Sequence, residues 1–154
     1  MSTSSSLLLA INLANVKRDQ AMENWQKAMQ GQAYAMDQMR QLRQYAGEIE
    51  QRWTQGAQQS TTPELLHHHY QFVGRLYQTI GLQEGVLESK RRNVDVAKQL
   101  LIQTELRLAS LKKLVANRQA DMVKQHQRRD QKHMDEFAAL QIQRQMRHIT
   151  EDMQ

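Results

Sequence analysis

Residues 65–122 read LLHHHYQFVGRLYQTIGLQEGVLESKRRNVDVAKQLLIQTELRLASLKKLVANRQADM. Within this stretch Leu66, Val73, Ile80, Leu87, Val94, Leu101, Leu108, Val115 and Met122 stand at strict seven-residue spacing, nine apolar residues in a row. The companion positions are mixed: Leu76, Ala97 and Leu111 are apolar, whereas Gln83, Lys90, Thr104 and Arg118 are polar. A heptad sustained this long predicts a helix whose seam follows a left-handed supercoil against another helix.

Upstream, residues 7–53 carry the complementary pattern. A 4-3 spacing runs through Leu7, Ile11, Ala14, Arg18, Ala21, Trp25, Ala28, Gln32, Ala35, Met39, Leu42, Ala46, Ile49 and Trp53, apolar at twelve of fourteen positions. Frequent alanine allows the two axes to approach near the short end of the usual range. Met22, Met29 and Met36, seven apart, are expected to widen the seam with adaptable thioether contacts. Between the two patterns lies the turn chemistry, TQGAQQSTTPE at 54–64. Thr62 before Pro63 reads as an N-cap with proline at the first helical position, and Gly56 as the end of the preceding helix. Ser4, Ser5 and Ser6 offer a cap ahead of Leu7. The expectation is one all-α domain over 1–154, a long antiparallel two-helix coiled coil: helix 1 at about 7–55, a turn at about 56–62, helix 2 at about 63–149.

Composition excludes the alternatives. With 154 residues, six glycines and one proline, the chain lacks the turn residues of a sandwich, barrel or wound α/β sheet. Absence of cysteine removes disulfides, thiol catalysis and cysteine-based zinc sites. No run approaches the roughly 18 apolar residues of a membrane span, and the opening MSTSSSLLLAINLA has no basic flank of a signal peptide. A cytoplasmic location without direct membrane insertion is expected.

The two helices differ in length. If residue i of helix 1 faces a residue near 119 − i of helix 2, Leu7 meets about Lys112 after a shared length of about 70 Å. Helix 2 then continues as an overhang, about 115–154, bearing Val115, Met122, Met134, Phe137, Leu140, Ile142, Met146 and Ile149. Its first part is basic, with seven Lys/Arg between Lys112 and Lys132 against Asp121 and Asp130. A single helix gains little stability alone, so the overhang either frays or is covered by another protein.

Enzymatic chemistry is not expected. There is no glycine-rich phosphate loop and no nucleophile signature, and no cofactor is implied. His67, His68 and His69 are adjacent, so their side chains point about 100° apart, unlike the i, i+4 pair that chelates zinc. A polar cluster in the first turn explains them better. The basic stretch lacks interleaved aromatics and a groove-reading motif, so a solvated face is favoured over nucleic acid. Trp25 and Trp53 fall on the seam and read as packing residues.

The run QKHMDEFA at 131–138, approached by Arg128, Arg129 and Asp130, resembles the C-terminal signature of the flagellar export protein FliJ family. Two further stretches look like the same family: Gln38, Leu42 and Tyr45 late in helix 1, and Tyr70, Gln71, Phe72, Leu76 and Ile80 early in helix 2. The resemblance implies a coiled coil similar to the central stalk of rotary ATPases, working in the flagellar type III export apparatus. It implies insertion into the hexameric export ATPase FliI, promotion of ring assembly, contact with the cytoplasmic linker of the export-gate protein FlhA, and escort of export chaperones. The place of action would be the cytoplasmic face of the inner-membrane export apparatus, with peripheral association. Gate binding is carried over to Gln38, Leu42, Tyr45, Phe72 and Leu76. The ring-binding element is assigned to Arg128, Arg129, Asp130, Gln131, Lys132, Asp135, Glu136 and Phe137. The chain departs from the family pattern at Ile49, Thr79 and Gln83, where an aromatic, a small residue and a histidine can stand. Two other readings remain open on sequence: the equivalent stalk of a virulence type III secretion system, and a structural or nucleic-acid-binding coiled coil using 112–132.

Overall fold

The computed structural model describes residues 2–57 and 61–154. Two helices account for nearly all of them: α1, Ser2–Ala57, and α2, Pro63–Asp152, of 56 and 90 residues. No strand occurs among the described residues. Two long helices packed against each other make a helical hairpin, as the two hydrophobic repeats predict.

The start of α2 is built as its sequence indicates. Thr62 Oγ1 accepts a hydrogen bond from the Leu65 amide at 3.2 Å, and its carbonyl accepts from Leu66 N at 3.0 Å. Pro63, with no amide hydrogen and a fixed φ, suits the first helical position between them. Thr62→Ala removes the side-chain acceptor and is expected to lower stability by about 1 kcal/mol, measured as a drop in the chemical-denaturation midpoint.

Other boundary expectations need correction. Ser4, Ser5 and Ser6 lie inside α1, which begins at Ser2. Nothing in this serine run bars a helix, and Leu7 and Leu8 further on find apolar neighbours that favour one. Gly56 is likewise helical, and no described glycine has a positive φ. The expected turn at 56–62 falls partly on residues 58–60, which lie outside the described residues.

Backbone proximity divides the chain into two compact units: Leu13–Arg107, and Met1–Asn12 with Leu108–Gln154. In the first unit α1 and α2 run antiparallel, and every expected seam position from Ala14 to Trp53 is buried or half-buried. Ala14, Ala21, Ala35, Met39 and Ala46 supply the buried side of α1, and Leu76, Ile80 and Leu101 that of α2. Met39, Ala46, Leu76 and Ile80 form one cluster, with Leu42, Ile49 and Leu87 packed against it. Small residues on one helix opposite large ones on the other fill a two-helix seam without voids. Met22 and Met29 border this seam half-buried, but Met36 is exposed, correcting its expected packing role.

Cross-helix contacts mark the register. Trp53 stacks on His69, with ring centroids 3.9 Å apart and planes within 6°. Gln83 Nε2 donates to the Ala35 carbonyl at 2.9 Å and to Gln38 Oε1 at 3.4 Å. These pairs agree with the 119 − i relation to within about a helical turn. Gln83 is thus a satisfied polar group within the seam, and its amide removes the cost that an unpaired one would carry.

In the second unit Leu108 and Leu111 are buried, and Leu7, Ile11 and Val115 half-buried. Leu7 and Leu8 line a shallow groove with Val115, Arg118, Gln119 and Met122. Leu7 therefore meets α2 about three residues beyond the expected Lys112. Met122, the ninth heptad position, is 69% exposed. From residue 116 onward every residue of the chain is exposed.

The exposed surface of α2 carries a local ion-pair node. Arg91 bonds Glu88 at 2.7 Å and Asp95 at 3.0 Å, and Arg92 reaches Glu88 at 3.4 Å. Hydrogen bonding from Arg91 holds the Glu88 carboxyl down at about 2, against 4.5 for the free group. Because the folded value is depressed, the node's contribution is present above about 4.5 and lost as pH falls through about 2. A carboxyl-carbon NMR titration is expected to show Glu88 still ionised at pH 3.5, and Arg91→Ala to return it toward the ordinary range.

Candidate docking surfaces

The gate-type residues fall on the Leu13–Arg107 unit, on both helices. Gln38, Leu42 and Tyr45 of α1 line an open groove of about 470 Å³ with Gln41, Thr79 and Gln83. Just beside it Tyr45 meets Phe72 edge to face, centroids 6.3 Å apart and planes at 83°. These rings stay 47% and 43% exposed. An aromatic pair left half open on a helix surface offers a large rigid contact area to a partner at little entropic cost.

The five residues do not share one environment. Tyr45 and Phe72 are exposed, Gln38 and Leu42 are half-buried, and Leu76 is buried in the cluster below with Met39, Ala46 and Ile80. Leu76 therefore supports the surface from beneath. Ile49 is half-buried against the same cluster. Thr79 and Gln83 form part of the groove wall, and the sequence reading did not assign Gln41 to it. The signal for Gln41 was available: it stands three residues after Gln38 and four before Tyr45, on one helical face.

The other flank of this unit is chemically different. Arg43 pairs with Glu84 across the helices at 3.5 Å, and the Tyr77 hydroxyl donates to Glu50. That bond to a carboxylate raises the Tyr77 pKa above its ordinary value. One flank is thus tied by charged and phenolic links, while the other is open.

The ring-type residues Arg128, Arg129, Asp130, Gln131, Lys132, Asp135, Glu136 and Phe137 all lie on the exposed last part of α2. Their contacts within the chain are short-range. Gln131 Nε2 donates to Asp135 Oδ1 at 3.1 Å, and His126 Nδ1 lies 3.8 Å from Asp130 Oδ1. Phe137 is 62% exposed, and Met134, Leu140, Ile142, Met146 and Ile149 are all more than half exposed. Of these, Ile142, Met146 and Ile149 repeat at 4-3 spacing, the signature of a seam. Here no second helix faces it among the described residues.

The remaining sequence features are local packing. His69 stacks on Trp53, and the His67 and His68 rings stand 6.3 Å apart at 56°. No group of His, Asp or Glu that could hold a metal occurs among the described residues. Trp25 and Trp53 are half-buried on the seam. Among the described residues no helix is long and apolar enough to cross a membrane.

Among curated proteins, none matches the chain closely enough to count as a relative. At the level of families the outcome is clear: the model of the flagellar FliJ protein matches residues 4–147, which takes in both helices, the aromatic groove and the DQK-x-MDEFA run. The chain belongs to the flagellar FliJ protein family and is a component related to flagellar export.

Proposed function

We propose that the chain is a stalk of the flagellar type III export machinery, a binding protein and not an enzyme. Its α2 extension docks into the ring of the export ATPase FliI and promotes ring assembly. Its aromatic groove contacts the cytoplasmic linker of the export-gate protein FlhA. Escort of export chaperones belongs to the same reading, as does a cytoplasmic place of action with peripheral association at the flagellar base. The observation that carries the proposal is the extension itself: about 45 Å of helix from residue 123 to 152, exposed at every residue, with an apolar stripe and a basic approach. Contiguous apolar surface of this kind marks an interaction site.

Co-purification with the flagellar export ATPase tests the reading. Retention of the ATPase by the full chain, lost on removal of residues 128–154, is the expected result. A full chain that fails to retain the ATPase at micromolar concentration would sink the proposal.

For the groove, Tyr45→Ala with Phe72→Ala is expected to weaken FlhA-linker binding by at least roughly 2 kcal/mol. Both rings are exposed enough that helicity and melting should be retained. A folded double variant that still captures the linker as well as the unaltered chain removes these residues from the site.

A further inference from the structure

The open flank of the Leu13–Arg107 unit is larger than the aromatic groove. On a supercoiled helix, residues seven apart share a face. The groove residue Thr79 is therefore aligned with Val86, Asn93, Leu100 and Arg107. Leu100, Gln103 and Arg107 indeed line a second groove, with Ala14, Lys17 and Thr104. The adjacent column, through Gln103, carries Leu82, Ser89 and Val96. Leu82, Val86, Val96 and Leu100 remain 69%, 41%, 70% and 48% exposed. They occupy a 4-3 frame of their own, turned away from the α1 seam.

Charge is distributed unequally about this stripe. From Thr79 to Arg107 these two columns contain no carboxylate. Glu84 and Glu105 share the column of Tyr77 on the opposite flank, which Arg43–Glu84 and Tyr77–Glu50 bridge. The facing columns of α1, through Lys17 and Tyr45 and through Gln41, contain Lys17 and Lys27 and no acid before residue 48. Midway lies Gly31, where an added Cβ would meet only the Lys90 side chain, at 3.8 Å. Packing within the hairpin does not require glycine there, and the centre of the flank is left low.

We infer that this flank is a docking surface for a third helix: an amphipathic partner helix with leucine-type residues at 4-3 spacing and acidic residues bordering them. The apolar stripe supplies the seam, and Lys17 and Arg107, both lining the second groove, supply the complementary charge, Lys27 being paired with Glu23 at 3.1 Å. Gly31, Ser89 and Asn93 let the partner backbone approach closely at the centre. The inference stands on the Leu13–Arg107 unit alone and does not rest on the export role.

The test uses the full chain and a fluorescein-labelled synthetic 21-residue helix with leucine at 4-3 positions and glutamate beside them. A second peptide replaces glutamate by lysine. Saturable anisotropy binding of the acidic peptide, at least tenfold tighter than the basic one, is expected. Leu82→Ser with Val96→Ser should weaken it at least tenfold, with circular dichroism and melting unchanged because both side chains are exposed. Gly31→Met should also weaken it, by filling the centre, without lowering the melting temperature. Equal binding of the two peptides, no saturable binding, or binding indifferent to the double substitution would overturn the inference. So would light scattering showing a dimer that the double substitution disperses, since the occupant would then be a second copy of the chain.

Discussion

Leu101→Asp abolishes cooperative folding of the helix pair. Leu101 is 6% exposed at the seventh-residue repeat of α2, in a unit whose interior, among the described residues, is the seam between two helices. The substitution removes a large apolar side chain and places a carboxylate in the seam, where the nearest cation by the 119 − i relation, Arg18, is already held by Asp19 at 3.0 Å. Burying an unpaired charge costs several kcal/mol, to which the lost apolar burial adds about 2–5 kcal/mol. Typical domains have only about 5–15 kcal/mol in total, and a layer two helices thick has no deeper core to compensate. Leu87→Asp acts in the same direction with a smaller effect, since Leu87 is half-buried at the edge of the Met39 cluster. Leu106→Asp is the control: its side chain is 62% exposed, and the change should stay within about 0.5 kcal/mol. Thermal melts followed at 222 nm separate the three. A Leu101→Asp chain that melts like the unaltered protein would reject the seam.

The seam was legible in the sequence because its period is the same fact stated twice. Heptad spacing in 66–115 and 4-3 spacing in 7–53 demand partners, and the short connection makes them each other's partner. Every seam position inside the Leu13–Arg107 unit is accordingly covered. The ends were less legible because helix termination depends on tertiary contacts as much as on caps. Thr62 and Pro63 act as read, whereas Ser4–Ser6 and Gly56 were absorbed into α1. A serine run can cap a helix or lie within one, and the sequence does not say which.

Of the docking surfaces, the aromatics were legible in the sequence and their setting was not. Tyr45 and Phe72 fall off the seam, so their exposure follows from the period alone. That the two rings meet edge to face depends on the inter-helix register, which the pattern fixes only to within about a turn. Leu42 and Leu76, on the same short stretches, lie at seam positions and divide between groove wall and core. The contrast between the tied flank and the open flank was also hidden. It emerges only when Glu84 and Glu50 find their partners on the facing helix.

Under the proposed stalk role, deleting residues 128–154 is expected to abolish stimulation of ATPase assembly and to leave the Leu13–Arg107 unit folded. The deletion removes no buried side chain, because every residue from 116 onward is exposed. It does remove Arg128 to Phe137 and the Ile142, Met146, Ile149 stripe, an apolar surface without a partner among the described residues. Helices in proteins draw most of their stability from packing of an amphipathic face, and this extension has no such packing among the described residues. Its short-range bonds, such as Gln131 to Asp135, contribute only tenths of a kcal/mol each, on the order of 0.2–0.5. The free extension is therefore expected to open far more often than the hairpin and to become fixed on docking. Ordering opposes binding, so affinity for one ATPase subunit is expected to be modest and to rise with several subunits around the helix. Arg128→Glu with Arg129→Glu is expected to weaken binding less than the deletion does, and to flatten its salt dependence, because only the charge contribution is removed. Hydrogen exchange decides the matter: residues 123–149 should exchange rapidly in the free chain and slowly in the assembled ring. Strong protection of this segment in the free chain, unchanged by the ATPase, would show that the extension is not the element the ring covers.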